Sequence, residues 1–327
     1  MPSSRTAILR WTGRGSLEGL RSSVAYVLGL EGIKVSVTKL GNSVALVGPE
    51  PIELAALFGN MPGVSWVAVG LEARSLRGLS SAATELAKRY VRKGDRFIVE
   101  AEGTAGVLAS DIAGIVTTAV LDGAKGSRVS VESPKVRFRA AFDGDRGVVG
   151  VEVRRGQGGT PTRSERVACL VSGGTHSSVV AWEAVLQGYS VQLIHVKYSE
   201  ESLRAVARLY SELSYRADPR GLSLEVLEGE SVRSALSRYA DAYTGKVFAG
   251  FTSNARDADR AHEMQLPQVL SPLYLMPEDR FESEFEGLGV QSFEASQDWE
   301  RGGEGKPGVR RFAGRRADVS RVLDEMR

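Results

Sequence analysis

Apolar and polar residues change their spacing several times over the first 75 positions, and each change marks a new secondary-structure element. Alternation in TAILRW predicts a strand, the spacing from Leu17 to Leu30 predicts a helix, and Gly41-Asn42 between two β-rich runs predicts a hairpin. PIELAALFGN, with Pro51 near its first turn, predicts a short helix, and GVSWVAVG predicts a strand. This order indicates a small α+β, ferredoxin-like domain of the split βαβ kind over residues 1–75.

A second α+β domain is predicted over residues 76–160. SSAATELAKRYV and SDIAGIVTTAVLDGA have helical spacing, and Ser110 and Gly123 are the expected N-cap and C-terminal glycine of the second helix. DRFIVEAEG, SRVSVESPKVRFRAAF and RGVVGVEVRRG alternate in the manner of strands.

The pattern changes again after the Gly-rich polar stretch from Arg154 to Glu165, which is the best candidate for a linker. Apolar runs such as RVACLVS then alternate with helical segments, which is typical of a parallel sheet covered on both faces. We therefore expect a doubly wound α/β domain over residues 161–300. Residues 301–327 are rich in Gly and Arg and are predicted to form a basic flexible tail, in which ADVSRVLDEM could make a short helix.

Composition limits the class of protein. The chain has 327 residues, enough for two or three domains with separate cores. Its single cysteine, Cys169, excludes an internal disulfide framework and fits a reducing compartment. No charged-then-apolar leader opens the chain, and no apolar run approaches the ~20 residues that a bilayer requires. We expect a cytoplasmic protein without a membrane partner.

Charge is segregated along the chain, although the formal net charge is only +2. Residues 88–166 hold 15 Lys/Arg against 10 Asp/Glu, whereas residues 199–300 hold 10 against 19. Because side chains alternate along a strand, Lys135, Arg137 and Arg139 of KVRFRAAF are predicted to share one face as a basic stripe. This distribution fits nucleic-acid binding by one region, and a solvated surface with a local bias is the alternative.

Ser172-Gly173-Gly174 lies between the apolar strand RVACLVS and a helical segment. Ligands of open α/β sheets bind at the carboxyl ends of strands, and a helix that starts there points N–H groups and a positive dipole at one spot. Glycine allows a phosphate to approach the backbone closely. We expect an anion at this turn, most simply a phosphate, and an ordinary strand-to-helix turn is the alternative.

Other motifs give no further site. G-x-x-x-x-G-K-[ST] is absent, and GRGSLEG misspaces its third glycine relative to G-x-G-x-x-G. No histidine context repeats a metal-ligand spacing, and one cysteine cannot build a typical zinc site. His195 and His262 are interpreted as core or sheet-end histidines rather than catalysts. The sequence assigns no metal ligand and no catalytic residue.

LVSGGTHSSVVA resembles the S-G-G-x-D-S loop of the PP-loop ATP pyrophosphatases. The strand-rich basic module that ends in VEVRRGQGGTPTRSE resembles the THUMP domain and linker of the tRNA 4-thiouridine synthetases, also called thiamine-biosynthesis sulfurtransferases. ILRWTGRGSLEGLR is similar to the N-terminal segment of that family, and VFAGFTS and LPQVLSPLYLMPEDRFESEFEGLGV are similar to the end of its nucleotide domain. The resemblance covers nearly all of residues 5–290 in the family's order.

The resemblance implies that the α/β domain binds ATP with Mg²⁺ and that the two N-terminal domains bind a tRNA acceptor stem. In the family, a tRNA uridine is adenylated and then attacked by persulfide sulfur. A homodimer is also consistent with the family. The implied ATP and phosphate residues are Ser172, Gly173, Gly174, His176, Ser177, Phe251, Thr252 and Ser253. The residues expected to contact RNA phosphates are Lys135, Arg137, Arg139, Arg154 and Arg155.

Two departures from the family bear on its chemistry. His176 occupies the aspartate position of the loop, where it removes an oxygen ligand suited to Mg²⁺ but could donate to phosphate. The sulfur-handling cysteine and the rhodanese domain that many members add are both missing, since Cys169 lies on the strand before the loop.

Two hypotheses remain open. The chain is either an ATP-dependent tRNA-thiolating enzyme supplied with sulfur by another donor, or a degenerate tRNA-binding or nucleotide-sensing relative. A small-molecule ATP-dependent ligase is a third, weaker hypothesis.

Overall fold

The computed structural model describes six stretches of the chain: residues 4–104, 106–163, 165–242, 246–250, 269–290 and 308–313. The chain divides into two compact units, Met1–Pro161 and Thr162–Arg327. Each unit has its own sheet and its own apolar core.

The first half of the N-terminal unit follows the split βαβ order predicted from the sequence. Its elements are β1 (Arg5–Trp11), α1 (Leu17–Leu30), β2 (Ser36–Leu40), β3 (Ser43–Val47), α2 (Pro51–Phe58) and β4 (Val64–Ala73). Strand β3 pairs antiparallel with both β1 and β2, and β1 pairs antiparallel with β4. The predicted β2–β3 hairpin is confirmed, and Gly41 supplies the positive φ, 57°, that its two-residue turn needs.

The second half of this unit extends the same sheet. Its elements are α3 (Leu76–Tyr90), β5 (Arg96–Gly103), α4 (Ala109–Gly123), β6 (Arg128–Val129), β7 (Val136–Phe142) and β8 (Gly147–Gly158). Because β4 pairs with β8, the sheet continues across residue 75. Among the described residues the strand order is β2-β3-β1-β4-β8-β7-β5-β6. The two N-terminal domains expected from the sequence therefore share one sheet.

Helices α1 to α4 cover one face of this sheet, because strand side chains alternate between the two faces. Leu9 and Val69 point into the helical core. Ile8 and Ala68 point the other way, into a small apolar cluster against which Trp66 packs. We call this second side the open face.

The C-terminal unit is a parallel α/β layer structure. Its elements are β9 (Arg166–Leu170), α5 (Thr175–Leu186), β10 (Ser190–Val196), α6 (Glu200–Arg216), β11 (Leu222–Glu228), α7 (Val232–Ala242), β12 (Val247–Phe248), β13 (Val269–Leu270), α8 (Glu278–Leu288) and β14 (Gly308–Ala313). Within the described residues the strand order is β13-β12-β9-β10-β11-β14. All neighbouring strands are parallel except β11 and β14.

Both faces of this sheet are covered, which is why its strands are continuously apolar. Val167 and Cys169 pack against α5 and α6, and α8 borders the same core. Ala168 and Leu170 pack against α7 on the other side. The predicted doubly wound parallel sheet, and with it the multidomain mixed α/β fold class, is confirmed.

Two local predictions are wrong. Ser110 is not the N-cap of α4, because the helix begins one residue before it and Leu108 takes the cap position, with its carbonyl accepting from the Asp111 and Ile112 amides. Residues 308–313 are not a flexible tail, because GVRRFA alternates and pairs with β11, where Arg311 Nε donates to buried Glu225 Oε1 at 3.0 Å. ADVSRVLDEM lies outside the described residues.

Membrane insertion finds no support in the described helices, none of which combines the length and the apolar character that crossing a bilayer demands.

Candidate functional site

The Ser172-Gly173-Gly174 turn, here called the glycine loop, follows β9 and leads into α5. The chain runs from β9 to β10 and β11 on one side of the sheet, and then crosses to β12 on the other side of β9. This reversal is the topological switch point at which open α/β sheets bind ligands. The glycine loop therefore lies where the sequence predicted it, at the carboxyl end of β9 beside the switch point.

Two backbone amides at the start of α5 remain available to an anion. Gly174 is the N-cap, and no side chain caps the helix there. First-turn amides have no partner inside a helix, and within the described residues nothing accepts a hydrogen bond from the Thr175 or His176 amide. These amides and the helix dipole favour negative charge at the carboxyl end of β9.

Serine hydroxyls hold the glycine loop in shape. Ser177 Oγ accepts from the Ser172 amide at 3.2 Å and donates to the Gly174 carbonyl at 3.0 Å. Ser172 Oγ accepts from the Gly174 amide at 3.3 Å. The Ser172 and Gly174 amides are thus bonded within the loop, whereas the Thr175 and His176 amides have no acceptor among the described residues.

Glycine is required at two points of close approach. Gly173 has a φ of 92°, and a Cβ there would come within 2.8 Å of Ala205 Cβ. Gly250, just after β12, packs against the start of α5, where a Cβ would lie 2.8 Å from the Ser177 amide nitrogen. The predicted nucleotide residues Phe251, Thr252 and Ser253 follow Gly250 directly and lie outside the described residues.

His176 is exposed in the first turn of α5 and stacks on Phe281 of α8. The ring centroids are 4.9 Å apart and the planes are inclined by 25°. The imidazole therefore stands beside the open amides of the loop, with one face covered by an aromatic ring.

The predicted basic stripe lies on the open face of the N-terminal unit, but its charges are paired. Lys135 Nζ lies 2.7 Å from Asp95 Oδ1, and Arg137 Nη1 lies 3.2 Å from Glu100 Oε1. Arg139 is only 8% exposed. It pairs with Glu100 and Glu152 and stacks over Trp66, with its guanidinium carbon 4.5 Å from the ring centroid. The Arg139 guanidinium is therefore engaged by carboxylates of the sheet.

Arg154 and Arg155 lie on opposite sides of the sheet. The β4–β8 ladder shifts register beside Arg154, which pairs across from Val67, a residue of the helical core. Arg154 Nη2 donates to Asn60 Oδ1 at 2.5 Å on that side. Arg155 pairs across from Trp66 and is exposed, so it is the member of the pair with access to a ligand on the open face.

Comparisons with known proteins give partial sequence matches. No protein-family model matches the chain. A probable tRNA sulfurtransferase from Methanocaldococcus jannaschii is 33% identical over 90 residues, which cover 27% of this chain and 24% of that protein. A tRNA sulfurtransferase from Pyrobaculum aerophilum is 30% identical over 128 residues, covering 39% of this chain and 24% of that protein. The matched segments span about a quarter of each curated relative.

Two solved structures have the same fold along most of the chain. PH1313 from Pyrococcus horikoshii Ot3 superposes with a TM-score of 0.67 at 20% identity and covers 88% of this chain and 100% of its own. A 4-thiouridine synthetase in complex with RNA and bound ATP superposes with a TM-score of 0.68 at 14% identity and covers 99% and 97%. At these identities the superpositions show the fold alone. Both partial sequence matches are to proteins described as tRNA sulfurtransferases, and the fold agrees with that of the 4-thiouridine synthetase.

The tRNA 4-thiouridine synthetase family implies ATP and Mg²⁺, and the described residues fit only the first of these. The open Thr175 and His176 amides suit a phosphate, and Gly173 and Gly250 allow close packing against α6 and α5. Mg²⁺ needs oxygen ligands in octahedral geometry, yet the first turn of α5 has no acidic residue. The next carboxylate on α5, Glu183, lies about 10 Å further along the helix and pairs with Arg280. Within the described residues no cluster of three His, Cys, Asp or Glu side chains could hold a metal.

Sulfur chemistry of the 4-thiouridine synthetase kind needs an accessible thiolate, and Cys169 is not one. Its side chain is 0% exposed inside the sheet core. Burial raises the pKa of the Cys169 thiol far above its ordinary value, because the charged form loses its hydration. Cys169 is therefore a structural residue of the core.

His195 is a core histidine, as expected, and it contacts the backbone just before the glycine loop. Its Nδ1 lies 2.8 Å from the Val171 carbonyl, which directly precedes the loop, and its Nε2 lies 3.2 Å from Ser202 Oγ. Complete burial lowers the pKa of His195 to about 4, so the ring is neutral at physiological pH. His262 lies outside the described residues.

Sequence reasoning missed a polar cluster between α5 and α8. Arg280 pairs with buried Glu183 and donates from Nε to Glu284 Oε1 at 3.2 Å. Burial, and then the nearby Glu183 carboxylate, raise the pKa of Glu284 to about 7. The spacing of Arg280 and Glu284 is visible in the sequence, but Glu183 lies 97 residues from Arg280 and no local pattern connects them.

Proposed function

We propose that this chain is a tRNA-binding protein whose C-terminal unit binds ATP at the glycine loop, and that it has no sulfurtransferase activity of its own. The observation that carries the proposal is the position of the glycine loop. It lies at the switch point of a doubly wound sheet, with the Thr175 and His176 amides open beside the helix start. A solved protein of this fold is described as having ATP bound.

Two features argue against turnover by the chain alone. An imidazole stands where the family motif has an aspartate, and it offers Mg²⁺ nitrogen rather than oxygen. The chain contains one cysteine, and its sulfur is enclosed in the core. A persulfide on this thiol would have no route to a nucleoside. The nucleotide site is therefore proposed to bind or sense ATP.

We assign tRNA binding to the N-terminal unit and, within the tRNA, to the acceptor stem. The support is the basic surplus of residues 88–166 and the likeness in fold to a protein solved with RNA. Duplex RNA is recognised through its backbone and shape, for which exposed basic side chains suffice. A cytoplasmic location and a homodimer belong to the same proposal.

A second candidate function is ATP-dependent thiolation of a tRNA uridine, with sulfur supplied by a free donor or a partner protein. The observation that favours it is that both curated relatives are described as tRNA sulfurtransferases. In that case the chain would adenylate the uridine while another molecule carried the sulfur.

The proposal is tested by two binding measurements on the full chain. Fluorescence anisotropy with labelled tRNA and titration calorimetry with ATP should each give saturable binding. Glutathione S-transferase with the same tRNA serves as the unspecific control. Absence of tRNA binding, or of ATP binding, would remove that half of the proposal.

A further inference from the structure

Two loops meet at one edge of the N-terminal sheet and bring basic residues together. The Gly94 amide donates to the Gly126 carbonyl at 3.0 Å, and the Arg128 amide donates to the Asp95 carbonyl at 3.1 Å. These bonds join the turn before β5 to the turn before β6. The basic residues on and beside the two turns form a set that we call the basic rim: Lys93, Arg96, Lys125, Arg128 and Lys135.

The members of the basic rim are exposed and carry almost no compensating charge. All five side chains belong to exposed residues. In the described part of the chain, Asp95 is the one carboxylate that pairs with the rim, through Lys135. Hydrogen bonds from Lys135 and from the Arg92 amide lower the pKa of Asp95, so this carboxylate is ionised and fully engaged. Lys93, Arg96, Lys125 and Arg128 form no ion pair with any described residue.

Strand register places three of these charges in a row. Arg96 and Arg128 are direct partners in the parallel β5–β6 ladder, so their side chains lie on the same face. The Lys135 amide donates to the Arg96 carbonyl at 2.8 Å on the other side of β5. Like charges directly opposite each other in a sheet are destabilising unless an anion lies between them.

Three other basic residues of the open face are paired within the sheet. Arg10, Arg137 and Arg139 each pair with a carboxylate of the sheet: Glu102 for Arg10 and Glu100 for the two others. Apart from Asp95, which pairs with Lys135, no described carboxylate pairs with the rim, although the rim belongs to the same sheet. Its charge is therefore free to act on a molecule outside the protein.

We propose that the basic rim binds the phosphate backbone of the duplex stem of tRNA. The inference rests on the proposed tRNA-binding function and assigns its contact surface. Several unpaired cations along three adjacent strand ends match a periodic polyanion better than a single small anion. Residues 92–96 and 125–135, which surround the rim, include no aromatic side chain on which an unstacked base could lie, and this favours the duplex backbone as the ligand.

The test compares two triple variants of the full chain with equal loss of charge. The rim variant is Lys93→Ala, Lys125→Ala and Arg128→Ala. The control variant is Lys34→Ala, Lys39→Ala and Arg77→Ala; its residues are exposed, and two of them flank or lie on β2 at the opposite edge of the sheet. Anisotropy with a labelled acceptor-stem duplex is recorded at several salt concentrations, with circular dichroism as the folding control.

The rim variant should lose a phosphate contact for each lysine or arginine removed. Each lost contact lowers the slope of log K against log salt by about 0.9, so the slope should fall by roughly 3. On the same basis the affinity ratio between parent and rim variant should change by roughly 40-fold between 50 and 200 mM salt. The control variant should keep the parent's slope and bind within about twofold of its affinity.

Three outcomes would overturn the inference. One is a rim variant that binds with the parent's slope. Another is an equal loss of slope in both variants, which would mean that net charge and not the rim is responsible. The third is displacement of the labelled duplex from the parent by single-stranded RNA or heparin at lower concentration than by unlabelled duplex. If the parent itself does not bind tRNA, the proposed function fails together with the inference, and this outcome is distinct from the other three.

Discussion

Removing the charge of Glu284 should change how the stability of the C-terminal unit depends on pH. Glu284 lies on α8, where its side chain packs beside Arg280 of the same helix and Glu183 of α5, and its pKa is raised from 4.5 to about 7. Between these two pH values the folded protein holds a proton that the unfolded chain has lost. The contribution of Glu284 to the free energy of unfolding is therefore fully present below about pH 4.5, and it is lost as pH rises through about 7.

The magnitude follows from the size of the pKa change. A change of one in pKa corresponds to about 1.4 kcal/mol, which sets an upper limit of about 3 kcal/mol for this group. Because the side chain keeps some contact with solvent, we expect about 1–2 kcal/mol. Glu284→Gln keeps the shape and offers an amide proton to Glu183, so it should match the parent at pH 5 and exceed it by this amount at pH 8.

The assay is urea unfolding of the full chain at pH 5, 6, 7 and 8, followed by hydrogen exchange of peptides that contain α5 and α8. Glu282→Gln is the matched control, because Glu282 is an exposed glutamate of the same helix. If Glu284→Gln and Glu282→Gln both show the same pH dependence as the parent, Glu284 does not have a raised pKa in the folded protein.

Three further substitutions test other parts of the site. Gly173→Ala should cost about 1–3 kcal/mol in urea unfolding and weaken ATP binding, because the φ of Gly173 is positive and the new Cβ would meet Ala205. Gly144→Ala is the control: Gly144 also has a positive φ but has open space around it, so this variant should leave ATP binding intact. His195→Ala should lower the free energy of unfolding by about 2–4 kcal/mol, because the Val171 carbonyl and Ser202 lose their buried partner. Urea unfolding of the variant should also lack the loss of stability that the parent shows as pH falls from 6.5 towards 4, where the unfolded chain protonates His195 and the folded protein does not. Arg139→Ala should cost about 3 kcal/mol by leaving Glu152 unpaired, yet keep the parent's tRNA affinity and salt slope; a reduced slope would return Arg139 to the RNA interface.

Local periodicity was sufficient for the elements that carry the candidate site. The apolar strand, the paired glycines and the following helix predicted the glycine loop at the carboxyl end of β9, and the order of strands and helices predicted a doubly wound sheet. Each of these elements is recognised from residues within about one or two helical turns of each other, for which sequence spacing is informative.

Features that depend on register or on distant partners could not be predicted. Alternation placed Lys135, Arg137 and Arg139 on one face, but the carboxylates that neutralise Arg139 come from β5 and β8. A register shift in the β4–β8 ladder sends Arg154 to the helical side, whereas Arg155 faces the open side. The basic rim arises because two turns that are 32 residues apart in the sequence meet at one edge, as the bond between Gly94 and Gly126 shows.

ATP–pyrophosphate exchange in the presence of Mg²⁺ and tRNA is the most direct test of whether this chain only binds ATP or also adenylates the tRNA. The account predicts that the parent binds ATP and tRNA without catalysing exchange, while His176→Asp, which restores an oxygen ligand at the first turn of α5, gains Mg²⁺-dependent exchange above the parent. Exchange by the unmodified chain at a rate that His176→Asp does not increase would contradict the account and establish an adenylating enzyme.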